Sequence, residues 1–119
     1  MERDAIVAKL GALAHGGRLD IFRLLVVAGP DGVAAGEIAR GLAVLPNALS
    51  PNLKVLTYAG LITPRKAGRS IIYSADFDAM NGLLGFLVAD CCAGDAAVCA
   101  PLAEIVSRAT CCAPAPAEA

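Results

Sequence analysis

All five cysteines lie in the last third of the 119-residue chain, as Cys91-Cys92, Cys99 and Cys111-Cys112. They make a poor disulfide framework. Their number is odd, and adjacent cysteines bridge each other badly because a disulfide needs separated, oriented Cα atoms. As thiolates, however, they are ligands. Cys99 follows Cys92 by seven residues, across Gly94 and Asp95, and a loop of that length can fold back to set a third sulfur beside a vicinal pair. Zinc prefers four nitrogen or sulfur ligands in a tetrahedron, and the single histidine, His15, is distant in sequence. Three thiolates without a histidine select soft ions, and trivalent arsenic, with its lone pair and three bonds to sulfur, suits a three-cysteine pyramid. Cys91, Cys92 and Cys99 are therefore the expected As(III) ligands. Cys91 also falls in register with Leu84, Leu87 and Val88, where it would pass as a small core hydrophobe, whereas Cys92 has no packing reason to be cysteine. Cys111 and Cys112 stand apart, as a further or competing source of sulfur or as free thiols.

A second set of residues is defined by charge. Ten Lys and Arg against eleven Asp and Glu give a net charge of −1, which by itself argues against a nucleic-acid binder. The distribution reverses that reading. Between Ile38 and Ala75 there are five cations (Arg40, Lys54, Arg65, Lys66 and Arg69) and no acidic residue, so this stretch carries +5 and the remainder −6. Lys54, Arg65, Lys66 and Arg69 are suited to neutralising phosphates, which gives salt-dependent affinity without sequence information. Asn47, Ser50, Asn52 and also Thr57 bring short polar groups to the same stretch. Asparagine fits adenine edges and serine several donors or acceptors, although Asn47 or Ser50 would equally serve as a helix N-cap.

The elements that must hold these residues follow from periodicity. Ile6, Leu10, Leu13 and Ala14 predict a first helix, punctuated by Gly16-Gly17. Leu19, Phe22, Leu25 and Val26 predict a second, stopped by Gly29-Pro30-Asp31-Gly32. A third runs from Ala34 to Leu42 with Ile38 and Leu42 inward. A fourth covers Asn47 to Ala59 with Leu49, Leu53 and Leu56 inward and Gly60 as its stop. The period then changes to two β-like runs, Leu61 to Arg65 and Ser70 to Ser74, around Lys66-Ala67-Gly68-Arg69, which predict a hairpin. After Asp76 a fifth helix carries the apolar stripe Met80, Leu83, Leu84, Leu87 and Val88, and Pro101 to Ala109 reads as a short sixth. Tyr58 and Tyr73 are expected to be packing and wing residues, and His15 to serve as a cap or junction residue. The fold class is mainly α with a β-hairpin: a helix-turn-helix, which presents its second helix to the major groove, followed by a basic wing.

At this point the residues resemble a known family. Asn47-Ala48-Leu49-Ser50-Pro51-Asn52-Leu53-Lys54-Val55-Leu56 followed by Ala59-Gly60-Leu61-Ile62 is similar to the recognition-helix signature of the ArsR/SmtB repressors. Lys66-Ala67-Gly68-Arg69-Ser70-Ile71-Ile72-Tyr73 is similar to their wing, and Leu13-Ala14 with Arg18-Leu19-Asp20-Ile21-Phe22-Arg23-Leu24-Leu25 to their early helix pair. The resemblance reaches to about Asp90 and implies a winged helix-turn-helix homodimer, paired through its first and last helices. It further implies a repressor that leaves operator double-stranded DNA when a metal or metalloid ion binds. The vicinal pair with Cys99 also resembles the arsenite site of some ArsR repressors. Two departures stand out. Asn52 occupies a place where the family usually has histidine, which argues against a metal site there. His15-Gly16-Gly17 replaces an acidic or small residue followed by proline, which leaves that helix junction less rigid.

The expectation is thus one winged-helix domain over residues 1–110 with a flexible tail over 111–119, cytoplasmic and with reduced thiols, and without a membrane span or secretory signal. No catalytic constellation or phosphate-cradling glycine loop is visible. Several ligand readings remain open beside As(III): antimony(III), methylarsenite, and cadmium or lead with Cys111 or Cys112 recruited. Two further alternatives are a redox sensor built on the vicinal thiols and a thiol-rich metalloid buffer that does not bind DNA.

Overall fold

The computed structural model describes residues 2–89 together with Ala100, Pro101, Glu104 and Ile105. The chain falls into two units, Met1–Phe86 and Leu87–Ala119. In the second unit, Ala100, Pro101, Glu104 and Ile105 are helical and exposed. In the first, helix α1 (Arg3–Leu13) and helix α2 (Gly16–Ala28) precede a two-residue strand β1 (Val33–Ala34). Helices α3 (Ala35–Leu42) and α4 (Pro46–Tyr58) follow, then strands β2 (Ile62–Ala67) and β3 (Ser70–Ala75), and last helix α5 (Phe77–Val88), which begins in this unit and runs two residues past Phe86.

The core is built where α2, α3, α4 and the base of the hairpin meet. Leu25, Ile38, Leu56 and Leu61 are fully buried there, with Ile21 and Ile62 nearly so. Each such side chain contributes on the order of 1.5–3 kcal/mol by leaving water, so this cluster fixes the angle between α3 and α4. The inner faces of α3 and α4 are those the periodicity predicts.

The first two helices differ in detail. On α1 the buried residues are Ile6, Lys9 and Ala12, while Val7 and Leu10 are exposed and Leu13 only half-buried. The helix has two apolar faces, and the sequence stripe mixed them. On α2 the buried set is Ile21, Phe22 and Leu25; Leu19 is exposed and Val26 packs from the side. Gly16 and Gly17 belong to the first turn of α2, capped by His15, whose Nδ1 accepts the Arg18 backbone N–H at 3.3 Å.

Strand β1 has no signature in the sequence, since two residues carry no readable period. It pairs antiparallel with β3 (Val33 opposite Tyr73, Ala34 opposite Ile72), making a three-stranded sheet in the order β1-β3-β2. Gly32 makes the approach possible. It has φ +79°, and a Cβ there would lie 2.5 Å from the Tyr73 carbonyl oxygen. Strand β2 is an edge, which is where Pro64 is tolerated. The hairpin is longer than expected, with Ala67 opposite Ser70 and only Gly68-Arg69 at the turn. Asp76 starts α5, its Oδ1 accepting the Ala79 N–H at 3.0 Å, and its own backbone N–H donates to the Leu61 carbonyl at 2.8 Å. That bond joins the exit of the hairpin to its entry.

Candidate nucleic-acid interface

Two helix ends create the turn between α3 and α4. Ala43 adopts a left-handed conformation, φ 55°. Its N–H donates to Arg40 O at 3.2 Å and the Val44 N–H to Ala39 O at 3.0 Å, which satisfies carbonyls that the end of α3 would leave unpaired. The chain then extends through Leu45, the residue at the N-cap of α4, where no side chain caps the helix. Asn47 and Ser50, which the sequence offers as that cap, do not occupy it. The helix instead begins at Pro46, a favourable first position for proline, so both side chains are spared for other contacts. Pro51 consequently lies in the second turn rather than the first, where it withholds a backbone donor from the helix. The far end of α4 closes with Gly60 N–H to Thr57 O and Leu61 N–H to Leu56 O, both at 3.0 Å.

At about 100° per residue, Asn47, Ser50, Lys54 and Tyr58 fall within one arc of α4, away from Leu49, Leu53 and Leu56. All four are exposed. Tyr58, expected to pack, is 97% exposed and ends this stripe. Its spacing from Lys54 (four residues) and Ser50 (eight) was the available signal. Asn52 is placed differently: it is half-buried on the flank facing the α1–α2 junction, and Arg18 Nη1 donates to its Oδ1 at 3.5 Å. Thr57 turns back on its own helix, donating to Leu53 O at 2.7 Å.

The cations also divide. Arg40 pairs with Glu37 one turn earlier on α3. Arg65 donates from Nη2 to the Asp31 carbonyl at 3.0 Å, which ties the hairpin to the loop after α2. Lys54, Lys66 and Arg69 are exposed and have no hydrogen bond or ion pair among the described residues. Ser50, Lys54 and Arg69 are brought together along one shallow groove of about 430 Å³, bordered by the first residues of α3 and by Ser70. The groove joins the outer face of α4 to the tip of the hairpin. Cys91, Cys92, Cys99, Cys111 and Cys112 lie outside the described residues. Among the described residues, no group of three or more His, Cys, Asp or Glu is placed to hold a metal, and no helix is long and apolar enough to cross a membrane.

A tight helical pair with an exposed polar stripe on its second helix, followed by a basic hairpin, is a winged helix-turn-helix. The comparisons with known proteins agree. A family model described as a helix-turn-helix domain matches residues 13–65. HlyU from Vibrio cholerae N16961 is 30% identical over 73% of this chain and 97% of its own, with a TM-score of 0.58. The homodimeric winged helix-turn-helix DNA-binding domain of Mb0332 from Mycobacterium bovis is described as a possible ArsR-family transcriptional regulator. It is 30% identical over 73% of this chain and 80% of its own, with a TM-score of 0.60. A crystal structure described as a possible transcriptional regulator for arsenical resistance is 32% identical over 66% of this chain and 79% of its own, at a TM-score of 0.58. No curated protein matches the sequence. The chain belongs to the ArsR family of winged helix-turn-helix DNA-binding transcriptional regulators, which are not enzymes.

Proposed function

We propose that the chain is a cytoplasmic, homodimeric repressor that holds operator DNA and releases it when trivalent arsenic is bound by Cys91, Cys92 and Cys99. The observation that carries the ligand assignment is the donor set itself, a vicinal thiol pair plus a third cysteine seven residues on. Arsenous acid exchanges its three hydroxyls for three thiolates, taking the thiol protons out as three waters. The resulting pyramid leaves the arsenic lone pair unshared and needs no histidine or carboxylate. Cys91 stands three residues beyond Val88, the last residue of α5, so the ligand is tied to the helix that the family resemblance assigns to dimer pairing. Support for the dimer comes from the homodimeric Mb0332 domain and from the exposed apolar residues Val7 and Leu10 on α1 and Leu84 and Phe86 on α5. Support for arsenic comes also from the relative described as a possible regulator for arsenical resistance.

In each protomer Asn47 and Ser50 read base edges, while Lys54, Lys66 and Arg69 contact phosphates, with Arg65 holding the hairpin at the angle this requires. Asn52 acts at the helix junction. The test is fluorescence anisotropy on the DNA upstream of the chain's own coding sequence, titrated with arsenite. Wild type should release DNA, and Cys92→Ser and Cys99→Ser should retain it. Release by arsenite that survives Cys99→Ser refutes the three-thiolate site. Methylarsenite has only two exchangeable ligands, so a response to it that needs Cys91 and Cys92 alone would identify the organoarsenical as the inducer. Release by peroxide, reversed by reductant, would instead identify a thiol redox sensor.

A further inference from the structure

A second cleft opens on the other side of Lys54 and Tyr73, which it shares with the groove between α4 and the hairpin. It has a volume of about 980 Å³ and runs between α1 and the C-terminal half of α4, in the size range of small-molecule sites. Its floor on α1 is Ala5, Ala8 and Ala12, side chains small enough to leave room for an occupant. Lys9, from the same helix face, lines it too. Lys9 is only 9% exposed, the one buried charged residue among those described, and has no hydrogen bond or ion pair there. Its Nζ sits 3.5 Å from where a Cβ on Gly60 would be, at the end of α4. The negative end of that helix dipole makes a cation tolerable, but it does not satisfy three N–H donors. A buried ammonium without an acceptor is costly, and methionine or leucine would fill the same place without that cost. The two other cations on the cleft are Arg18, whose Nε and Nη1 are engaged, and Lys54. Tyr58, almost wholly exposed, forms an aromatic wall.

We propose that this cleft binds a small organic monocarboxylate with a flat apolar body, its carboxylate accepting from Lys9 at the end of α4 and its body lying between the α1 alanines and Tyr58. One buried cation and otherwise mostly apolar walls match one negative charge on an apolar frame, and match a polyanion poorly. The proposal uses no cysteine, so it stands or falls independently of the arsenic reading.

The test is isothermal titration calorimetry of the full chain with 1-naphthoate, with 1-naphthalenemethanol as the uncharged counterpart. Saturable naphthoate binding is expected, weakened about tenfold or more in Lys9→Met and for the alcohol, as the loss of a charge-assisted hydrogen bond requires. Without ligand, Lys9→Met should melt higher than wild type, because an unpaired buried charge has been removed. Ala8→Leu, an exposed helical position on the cleft floor, should block naphthoate while leaving the melting temperature near wild type, and this keeps the test alive if Lys9→Met does not fold. The proposal is overturned by naphthoate failing to saturate below about 10 mM, by equal affinity in Lys9→Met or Ala8→Leu, or by a lower melting temperature for unliganded Lys9→Met. The last outcome would make Lys9 a structural cap for α4.

Discussion

Replacing both Lys66 and Arg69 by alanine should flatten the salt dependence of DNA binding far more than it lowers affinity at high salt. Three cations per protomer are exposed and unpaired at the interface, Lys54, Lys66 and Arg69, whereas Arg40 is neutralised by Glu37 and Arg65 is partly committed to the Asp31 carbonyl. If each unpaired cation meets one phosphate, a dimer makes about six contacts, and log K should fall with log salt at a slope of about −5. Between 50 and 200 mM salt that is a loss of about a thousandfold. The double variant keeps only Lys54, about two contacts per dimer, so its slope should be about −2 and its loss about tenfold. The assay is fluorescence anisotropy of a labelled operator at several salt concentrations, for wild type, the double variant and Asn47→Ala. Asn47 carries no charge, so its variant should lose sequence preference and keep the wild-type slope. An unchanged slope in the double variant, or an equal flattening by Asn47→Ala, would refute the division of labour between helix and wing.

Other substitutions test the scaffold. Gly32→Ala must take a positive φ and place its Cβ 2.5 Å from the Tyr73 carbonyl. It should destabilise by about 3 kcal/mol or more, read as a melting temperature lower by at least about 10 °C; a smaller change would mean that β1 is not held against β3. Ala43→Gly relieves the left-handed strain at the helix-helix turn, and after the entropy cost of glycine should stabilise by about 0.5–1 kcal/mol in chemical denaturation. Asp76→Ala removes the bond to the Ala79 N–H and should cost about 1 kcal/mol, with Asp76→Asn recovering most of it.

What was readable from sequence followed the strength of the local signal. Leu49, Leu53 and Leu56 lie on the buried side of a single amphipathic helix, so the periodicity of α4 had one solution. On α1, Ile6 and Leu13 shared a stripe with Leu10 and Ala14, because a helix with two apolar faces offers two stripes and only tertiary packing selects between them. Strand β1 owes its existence to its neighbour β3 and to the fold-back at Gly32, neither of which two residues announce. The start of α4 was misplaced because Asn47 and Ser50-Pro51 are good local caps, yet the left-handed Ala43 and the extended Leu45 deliver the chain to Pro46 first. The consequence was favourable to the site: two polar side chains assigned to a structural task are free for base contacts. Charge by segment located the basic surface, but the count could not tell that Arg40 and Arg65 have partners nearer than any phosphate.

The junction between α1 and α2 shows how packing replaces a rigidity the backbone lacks. His15-Gly16-Gly17 reads as a permissive hinge, and three side-chain contacts restrain it. His15 caps α2 through the Arg18 N–H. Arg18 Nε donates at 2.6 Å to the Ala12 carbonyl, one of the acceptors that the end of α1 leaves open, and its Nη1 reaches Asn52 on α4. Gly17 permits that reach, since a Cβ there would sit 3.2 Å from the Asn52 amide nitrogen. A planar guanidinium can serve two acceptors in fixed directions, which a lysine cannot. One side chain therefore links α1 to the helix that faces DNA. Where related regulators usually place a histidine, Asn52 supplies an acceptor for Arg18, so the position serves to set the angle of α4. Because α1 also carries exposed Val7 and Leu10, Arg18 connects a helix with outward apolar residues, through the core residue Ala12, to Asn52 on α4.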